Sequence, residues 1–282
     1  MPNSIIYKND VMPDITDTIS HTVASGSAIV GLSNKEKMIE PSPQNAYFFQ
    51  CTGASAITII TFDLSSIVTT AGDDTNTLII MGLTHDAENI EIRLKSGSST
   101  VQTFTNHDEI RFRTLNGQRV VDQIYNIDDY IGFDSVEIEI NLATANWSGD
   151  RIYQIGCVML SQSMTFPIHY STLKINGQTV GNKKRDHGGR IHSSKNTYYM
   201  TYQFTTTPLI ELGATAYTDT EDLINLNYEY SVSEPFVFLP YEGSYLMAYV
   251  YQVKPCSQSI VKTPPEDGRL FWRTSFYLEE GL

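Results

Sequence analysis

Glu137 and Glu139 stand two residues apart in the stretch Val136-Glu137-Ile138-Glu139-Ile140. In an extended strand that spacing puts both carboxylates on one face, and a carboxylate pair is what a glycoside hydrolase uses as acid and base. The apolar residues between them describe something simpler: a strand with one face in a core and the other in water. Ile90-Glu91-Ile92-Arg93-Leu94-Lys95 has the same alternation, and the solvent-face reading is adopted for both. His187 and His192 are the one close pair among six histidines. They lie in and just after a Gly-rich stretch that would give a metal no rigid outer support. Asp73-Asp74 and Asp128-Asp129 offer the oxygen ligands calcium takes, but without EF-hand spacing. No metal and no cofactor are expected. Trp147, in Asn146-Trp147-Ser148, is the candidate for stacking on a sugar ring, set against a role as a wedge closing a sandwich. The chain has no Gly-rich phosphate loop, no His-Glu-x-x-His helix and no Gly-x-Ser-x-Gly elbow. It reads as a protein that is not an enzyme.

The elements that carry these residues follow from composition and period. The chain has 282 residues and 31.7 kDa, enough for two domains with separate cores. Only 18% of residues are charged, and 32 acidic against 19 basic side chains leave a net charge of −13. Phosphate neutralisation needs clustered Lys and Arg, so a nucleic-acid partner is not expected. The longest apolar run, Leu78-Ile79-Ile80-Met81-Gly82-Leu83, is far too short to cross a bilayer, and no membrane insertion is expected. The first ten residues have neither a basic nor an apolar leader segment. With Cys51, Cys157 and Cys256 about a hundred residues apart, synthesis in a reducing cytoplasm is the expectation, and the Asn146 sequon should stay unmodified.

Period-2 alternation dominates, which makes the fold class mainly β. Residues 1–45, rich in Gly, Ser, Pro and Asn, read as an irregular N-terminal arm. Residues 46–165 carry strands at Ile57–Leu64, Leu78–Leu83, Ile90–Lys95, Ile110–Arg113, Val136–Leu142 and Ile152–Leu160, a β-sandwich pattern. Residues 166–190 read as a connector. In it Asn176-Gly177 signals a hairpin turn, and Lys183-Lys184-Arg185 forms the one basic cluster, a candidate docking patch. Residues 191–282 form a smaller β-rich domain. A capping box at Thr218-Asp219-Thr220-Glu221 opens its one short helix, and strands follow at Pro235–Pro240, Tyr245–Val253 and Leu270–Leu278.

The order of features in 46–165 resembles a galactose-binding-like (discoidin-type) jelly roll. The apolar strand Ile59-Ile60-Thr61-Phe62-Asp63-Leu64, the buried strand, loop and alternating strand from Leu78 to Arg93, and the closing Ile152–Leu160 carry the resemblance. With the lead-in Ile5-Ile6-Tyr7-Lys8-Asn9 and the trailing β-rich domain, the whole is similar to minor tail proteins of tailed bacteriophages. The resemblance implies a structural virion protein of a tail tip or baseplate, made in the bacterial host cytoplasm. Its partners would be copies of itself and other tail proteins. A carbohydrate-binding module for host-surface glycans and a capsid decoration protein are the alternatives. A domain of about ninety residues cannot bury every aromatic ring, so Tyr241, Tyr245, Tyr249 and Tyr251 are the expected interface residues. The arm is expected to order only against a neighbouring subunit.

Overall fold

The computed structural model describes residues 3–7, 19–25, 29–39, 46–51, 57–65, 77–84, 89–104, 109–115, 118–127, 132–141, 151–161, 163–167, 173–180, 183–185, 191–193, 197–206, 209–210, 236–240, 248–252, 257–261 and 271–280. Among the described residues, regular structure is strand apart from one 3-10 turn at Lys35–Met38. The strands are β1 (Asn3–Tyr7), β2 (Ile19–Ser25), β3 (Ile29–Gly31), β4 (Tyr47–Cys51), β5 (Ile57–Asp63), β6 (Thr77–Thr84), β7 (Asn89–Ser96) and β8 (Ser99–Phe104). Next come β9 (Glu109–Leu115), β10 (Gln118–Asn126), β11 (Ser135–Asn141), β12 (Arg151–Ile155), β13 (Cys157–Ser161), β14 (Ser163–Pro167) and β15 (Lys174–Val180). The chain closes with β16 (Lys183–Arg185), β17 (Ile191–Ser193), β18 (Thr197–Thr205), β19 (Leu209–Ile210), β20 (Phe236–Leu239), β21 (Ala248–Gln252), β22 (Ser257–Val261) and β23 (Phe271–Glu280). The fold is mainly β, as the alternation requires.

Two compact units emerge, one built on Tyr7–Ser163, the other on Met1–Ile6 with Met164–Gly243 and Ala248–Leu282. In the first, a five-stranded antiparallel sheet runs β2-β5-β11-β7-β8 and a four-stranded one runs β13-β6-β10-β9. A three-stranded sheet, β12-β4-β3, completes it. The five-stranded sheet turns Ile60, Phe62, Ile92, Leu94, Val136 and Ile138 inward, each at an alternate position. They share one apolar core with Leu78, Ile80, Val121, Val158 and Leu160 of the four-stranded sheet, a sandwich-like arrangement. Along β6 all eight residues are buried, Ile79 and Met81 as fully as Leu78 and Ile80, so both faces of that strand are covered. An unbroken apolar run instead of alternation is the sequence mark of such a strand.

In the second unit β23 is the hub. Its C-terminal half pairs with β18 and β21, and its N-terminal half pairs with β19 and β22. The sheet path is β14-β1-β20-β21-β23-β18-β15. Tyr202, Phe204, Phe276 and Leu278 alternate with half-buried or exposed polar residues and are buried. Phe204 stacks on Phe238 at 5.0 Å and 4°, and on Phe276 at 5.0 Å and 22°.

Three expectations meet a different outcome. Residues 1–45 supply strands: β1 lies between β14 and β20, β2 pairs along β5, and β3 pairs with β4. The described part of the arm therefore orders against its own chain. The period-2 stretch Ile19-Ser20-His21-Thr22-Val23 was obscured by the turn-forming residues around it. Asn176-Gly177 makes no hairpin turn but sits mid-strand in β15, where Asn176 faces Thr201 and Gly177 faces Met200. Pairing seven residues with β18 satisfies more backbone groups than a turn between two three-residue arms. Lys183–Arg185, expected as part of a connector, is a strand paired with Ile191–Ser193. The short helix expected from Thr218 lies outside the described residues.

Candidate functional site

Register decides what Glu137 and Glu139 can do. On β11, Glu137 faces Arg93 of β7 and Thr61 of β5, while Glu139 faces Glu91 and Ile59. Two carboxylates directly opposite one another repel, and the Arg93 side chain reaches between them. Its Nη2 is 2.8 Å from Glu139 Oε2, its Nε 2.5 Å from Glu91 Oε1, and its Nη1 3.9 Å from Glu137 Oε2. Lys95 Nζ donates to Glu137 Oε1 at 2.9 Å. Burial works against the Arg93 charge, but the hydrogen bonds and charges of Glu139 and Glu91 outweigh it and hold the guanidinium more firmly protonated than usual. Each carboxylate of the spaced pair thus has a cation on it. A general acid instead needs apolar surroundings that keep its proton on at neutral pH.

A second polar constellation joins three strands. His21 of β2 places Nδ1 2.8 Å from the Tyr47 hydroxyl of β4, and its Nε2 hydrogen-bonds Thr58 Oγ1 of β5. Thr58 in turn donates to the Thr22 carbonyl at 3.1 Å. That carbonyl only accepts, so the single Thr58 proton is committed. Nε2 must then be a protonated ring nitrogen, and in the neutral ring Nδ1 accepts from Tyr47. The ring packs edge-on against Phe49 at 4.9 Å and Tyr47 at 5.6 Å, and Tyr47, Phe49 and Tyr153 stack in turn. A Cβ at Gly31 would lie 3.3 Å from the Tyr47 hydroxyl, so a glycine leaves room for that oxygen. Hydroxyl, imidazole and phenol in a row have the outline of a nucleophile relay. Thr58, however, is fully buried and its proton is spent, so it cannot attack a substrate.

A third polar group lies within the four-stranded sheet. Asp122 of β10 is fully buried opposite a bulge in β6, and its Oδ1 accepts from the Gly82 amide at 2.7 Å. Gln154 donates its side-chain amide to the Gly82 carbonyl at 3.4 Å, and its backbone amide to Thr84 Oγ1 at 2.8 Å. Next along β10, the Tyr125 hydroxyl donates to Gln123 Oε1, and burial pushes the Tyr125 phenol well up from its ordinary value. The two bonds to Gly82 satisfy backbone groups that the bulge takes out of the ladder.

The residues singled out from sequence are spread over different elements. Lys184 faces His192 across the β16–β17 ribbon. Tyr249 faces Val237 of β20, and Tyr251 faces Glu279 of β23, so the backbone of both lies within the second unit's sheet. Tyr241, Tyr245, Trp147, His187, Asp73-Asp74 and Asp128-Asp129 lie outside the described residues. Sequence reasoning missed His21, Tyr47, Thr58 and Asp122. A histidine on the inward phase of an uncharged alternating strand was the available signal for the first.

Among the described residues no group of three or more His, Cys, Asp or Glu side chains is placed to hold a metal ion. Among them, too, no helix is long and apolar enough to cross a membrane. No protein-family model, curated protein or solved structure matches the chain.

Proposed function

We propose that this chain is a structural virion protein of a bacteriophage tail tip or baseplate, acting through subunit packing and without catalysis. Its first unit would be a galactose-binding-like jelly roll. The reading rests on the resemblance of the 46–165 strand order and the trailing β-rich domain to minor tail proteins. One observation carries the non-enzymatic part: Arg93 and Lys95 occupy Glu137 and Glu139, the only carboxylate pair whose spacing suggested hydrolysis. The partners would be copies of itself and neighbouring tail proteins, with Tyr241, Tyr245, Tyr249, Tyr251 and the Lys183–Arg185 ribbon in the contacts.

Immunogold labelling of purified tailed particles with antibody to this chain tests the reading. Label at the tail tip supports it, and label spread over the head assigns a decoration role instead. Particles that carry none of the chain by mass spectrometry overturn it. Saturable glycan-array binding lost in Trp147→Ala would favour the carbohydrate-binding alternative.

A further inference from the structure

His21 is the one titratable side chain on β2, and among the described residues β2 is the outermost strand of its sheet, paired with β5 alone. Three elements meet the ring. From β4 come the Tyr47 phenol and the Phe49 ring, and from β5 the uncharged Thr58 hydroxyl. From the 3-10 turn comes Lys35, whose ammonium donates to the Ile19 carbonyl at the start of β2. Among the described residues no carboxylate pairs with the imidazole.

The hydrogen bonds suit the neutral His21 ring. Thr58 takes the Nε2 proton because its own is on Thr22, and Nδ1 accepts from Tyr47. A second ring proton would make the Tyr47 hydroxyl turn its own proton away and accept from Nδ1–H, and would bring a positive charge into a largely buried site beside Lys35 with no carboxylate paired to it among the described residues. Burial first, and the Lys35 charge second, lower the His21 pKa to about 4.

We propose that His21 is an acid-operated latch: its protonation releases β2 from β5, opening that edge of the five-stranded sheet and uncovering Ile19. The device is independent of the tail reading above. The sign follows from linkage. A histidine freed from the fold binds its proton near pH 6.5, whereas the latched one does not until about pH 4. Nothing changes above pH 6.5. As pH falls from there to 4, the released state gains a proton the latched state lacks, and below 4 the bias is constant. The full interval of about 2.5 pH units bounds the change in the opening equilibrium at about 300-fold. Solvent at this partly exposed ring screens part of it, so an increase of about tenfold or more is expected.

Pulsed hydrogen exchange of the full chain between pH 7 and 4, corrected for intrinsic rates, reads the latch directly. Amides of 20–25 should lose protection tenfold or more below pH 6.5 while those of β7 and β11 keep theirs. His21→Gln, which keeps polar contacts but cannot titrate, should abolish the pH dependence. Imidazole NMR should place the His21 midpoint near 4. A midpoint near 6.5, unchanged β2 protection, simultaneous loss from all strands, or the same loss in His21→Gln would each overturn the proposal. Should His21→Gln not fold, the wild-type midpoint and exchange profile decide it alone.

Discussion

The Gly82 amide donates to Asp122 Oδ1 at 2.7 Å, across forty residues of chain and at the one place where β6 and β10 fall out of register. Gly82 takes φ +70, a left-handed conformation in the middle of a fully buried strand. Only glycine does so at little cost. The carboxylate replaces the ladder acceptor that the bulge removes. Gly82→Ala should therefore destabilise the first unit by about 1–2 kcal/mol through backbone strain. Asp122→Ala should cost about 1–3 kcal/mol by leaving a buried amide without its acceptor. Asp122→Asn, which keeps an acceptor oxygen, should be milder. Urea midpoints order the three, and Asp122→Ala equal to wild type would refute the account.

Arg93 holds apart carboxylates that the strand register forces together. Replacing it with Met leaves Glu91 facing Glu139, with Glu137 relying on Lys95. These side chains are only partly shielded, so the loss should be modest, about 1 kcal/mol at low salt. It should shrink at 1 M salt, where charges are screened within about 3 Å. A loss indifferent to salt would mean that packing of the Arg93 stem, not its charge, holds the face together.

What was legible in the sequence was whatever period 2 and burial on one face write into it. Ile90–Lys95 and Val136–Leu142 alternate in sequence because one side is made to meet the core, and 90–95 and 136–141 formed the strands expected of them, with their glutamates outward, Leu142 lying outside the described residues. The buried β6 showed as an apolar run. Long-range choices were not legible. Asn176-Gly177 has every local feature of a hairpin turn, and only the availability of β18 makes it strand. Nothing local shows that His21 meets Tyr47 and Thr58, which lie 26 and 37 residues away. The ion pairing of Glu137 and Glu139 needed the β7–β11 register, which alternation alone does not set.

Tyr125 gives the chain a dependence on alkaline pH. Burial raises its phenol pKa in the fold, while an unfolded tyrosine ionises near pH 10. Its contribution is therefore fully present below pH 10 and declines as pH rises beyond it, because only the unfolded state releases the proton. Wild type should lose stability between pH 10 and 11 faster than Tyr125→Phe. Parallel denaturant midpoints for the two proteins across that range would contradict the burial argument.

Among the described residues the β16–β17 ribbon pairs three residues on each side and joins no further strand, and a two-stranded ribbon by itself is marginally stable in water. Local opening there is cheap compared with opening β7 or β11 in the middle of a sheet. Trypsin should cut first at Lys183, Lys184 or Arg185, and only later at Arg93 or Lys95. First fragments that end at Arg93 or Lys95 would reverse that order of local stability.

Both outer strands of the five-stranded sheet carry a bulge. In β8 the pairing steps from Leu94↔Gln102 to Lys95↔Thr100, leaving Val101 over, and in β2 it steps from Val23↔Thr58 to Ser25↔Ile57, leaving Ala24 over. Neither strand has a lysine, glutamate or proline, the residues that usually keep strand edges from pairing with other chains. Val23 and Val101 are 41% and 38% exposed, so each edge also offers apolar surface. Among the described residues the bulges are then the obstacle to edge-to-edge pairing, since each breaks the regular spacing of outward amides and carbonyls that a new strand would need. The net charge of −13 keeps copies apart at long range but is screened beyond about 10 Å at 0.1 M salt. Deleting Val101 should restore a straight, uncharged edge and cause concentration-dependent association that strengthens with salt, visible by sedimentation velocity. Adding Thr103→Lys to the deletion should suppress it, because a charge on the repaired edge does the work of the lost bulge. A deletion variant that sediments as wild type does at every concentration and salt would show that something other than the bulge protects β8.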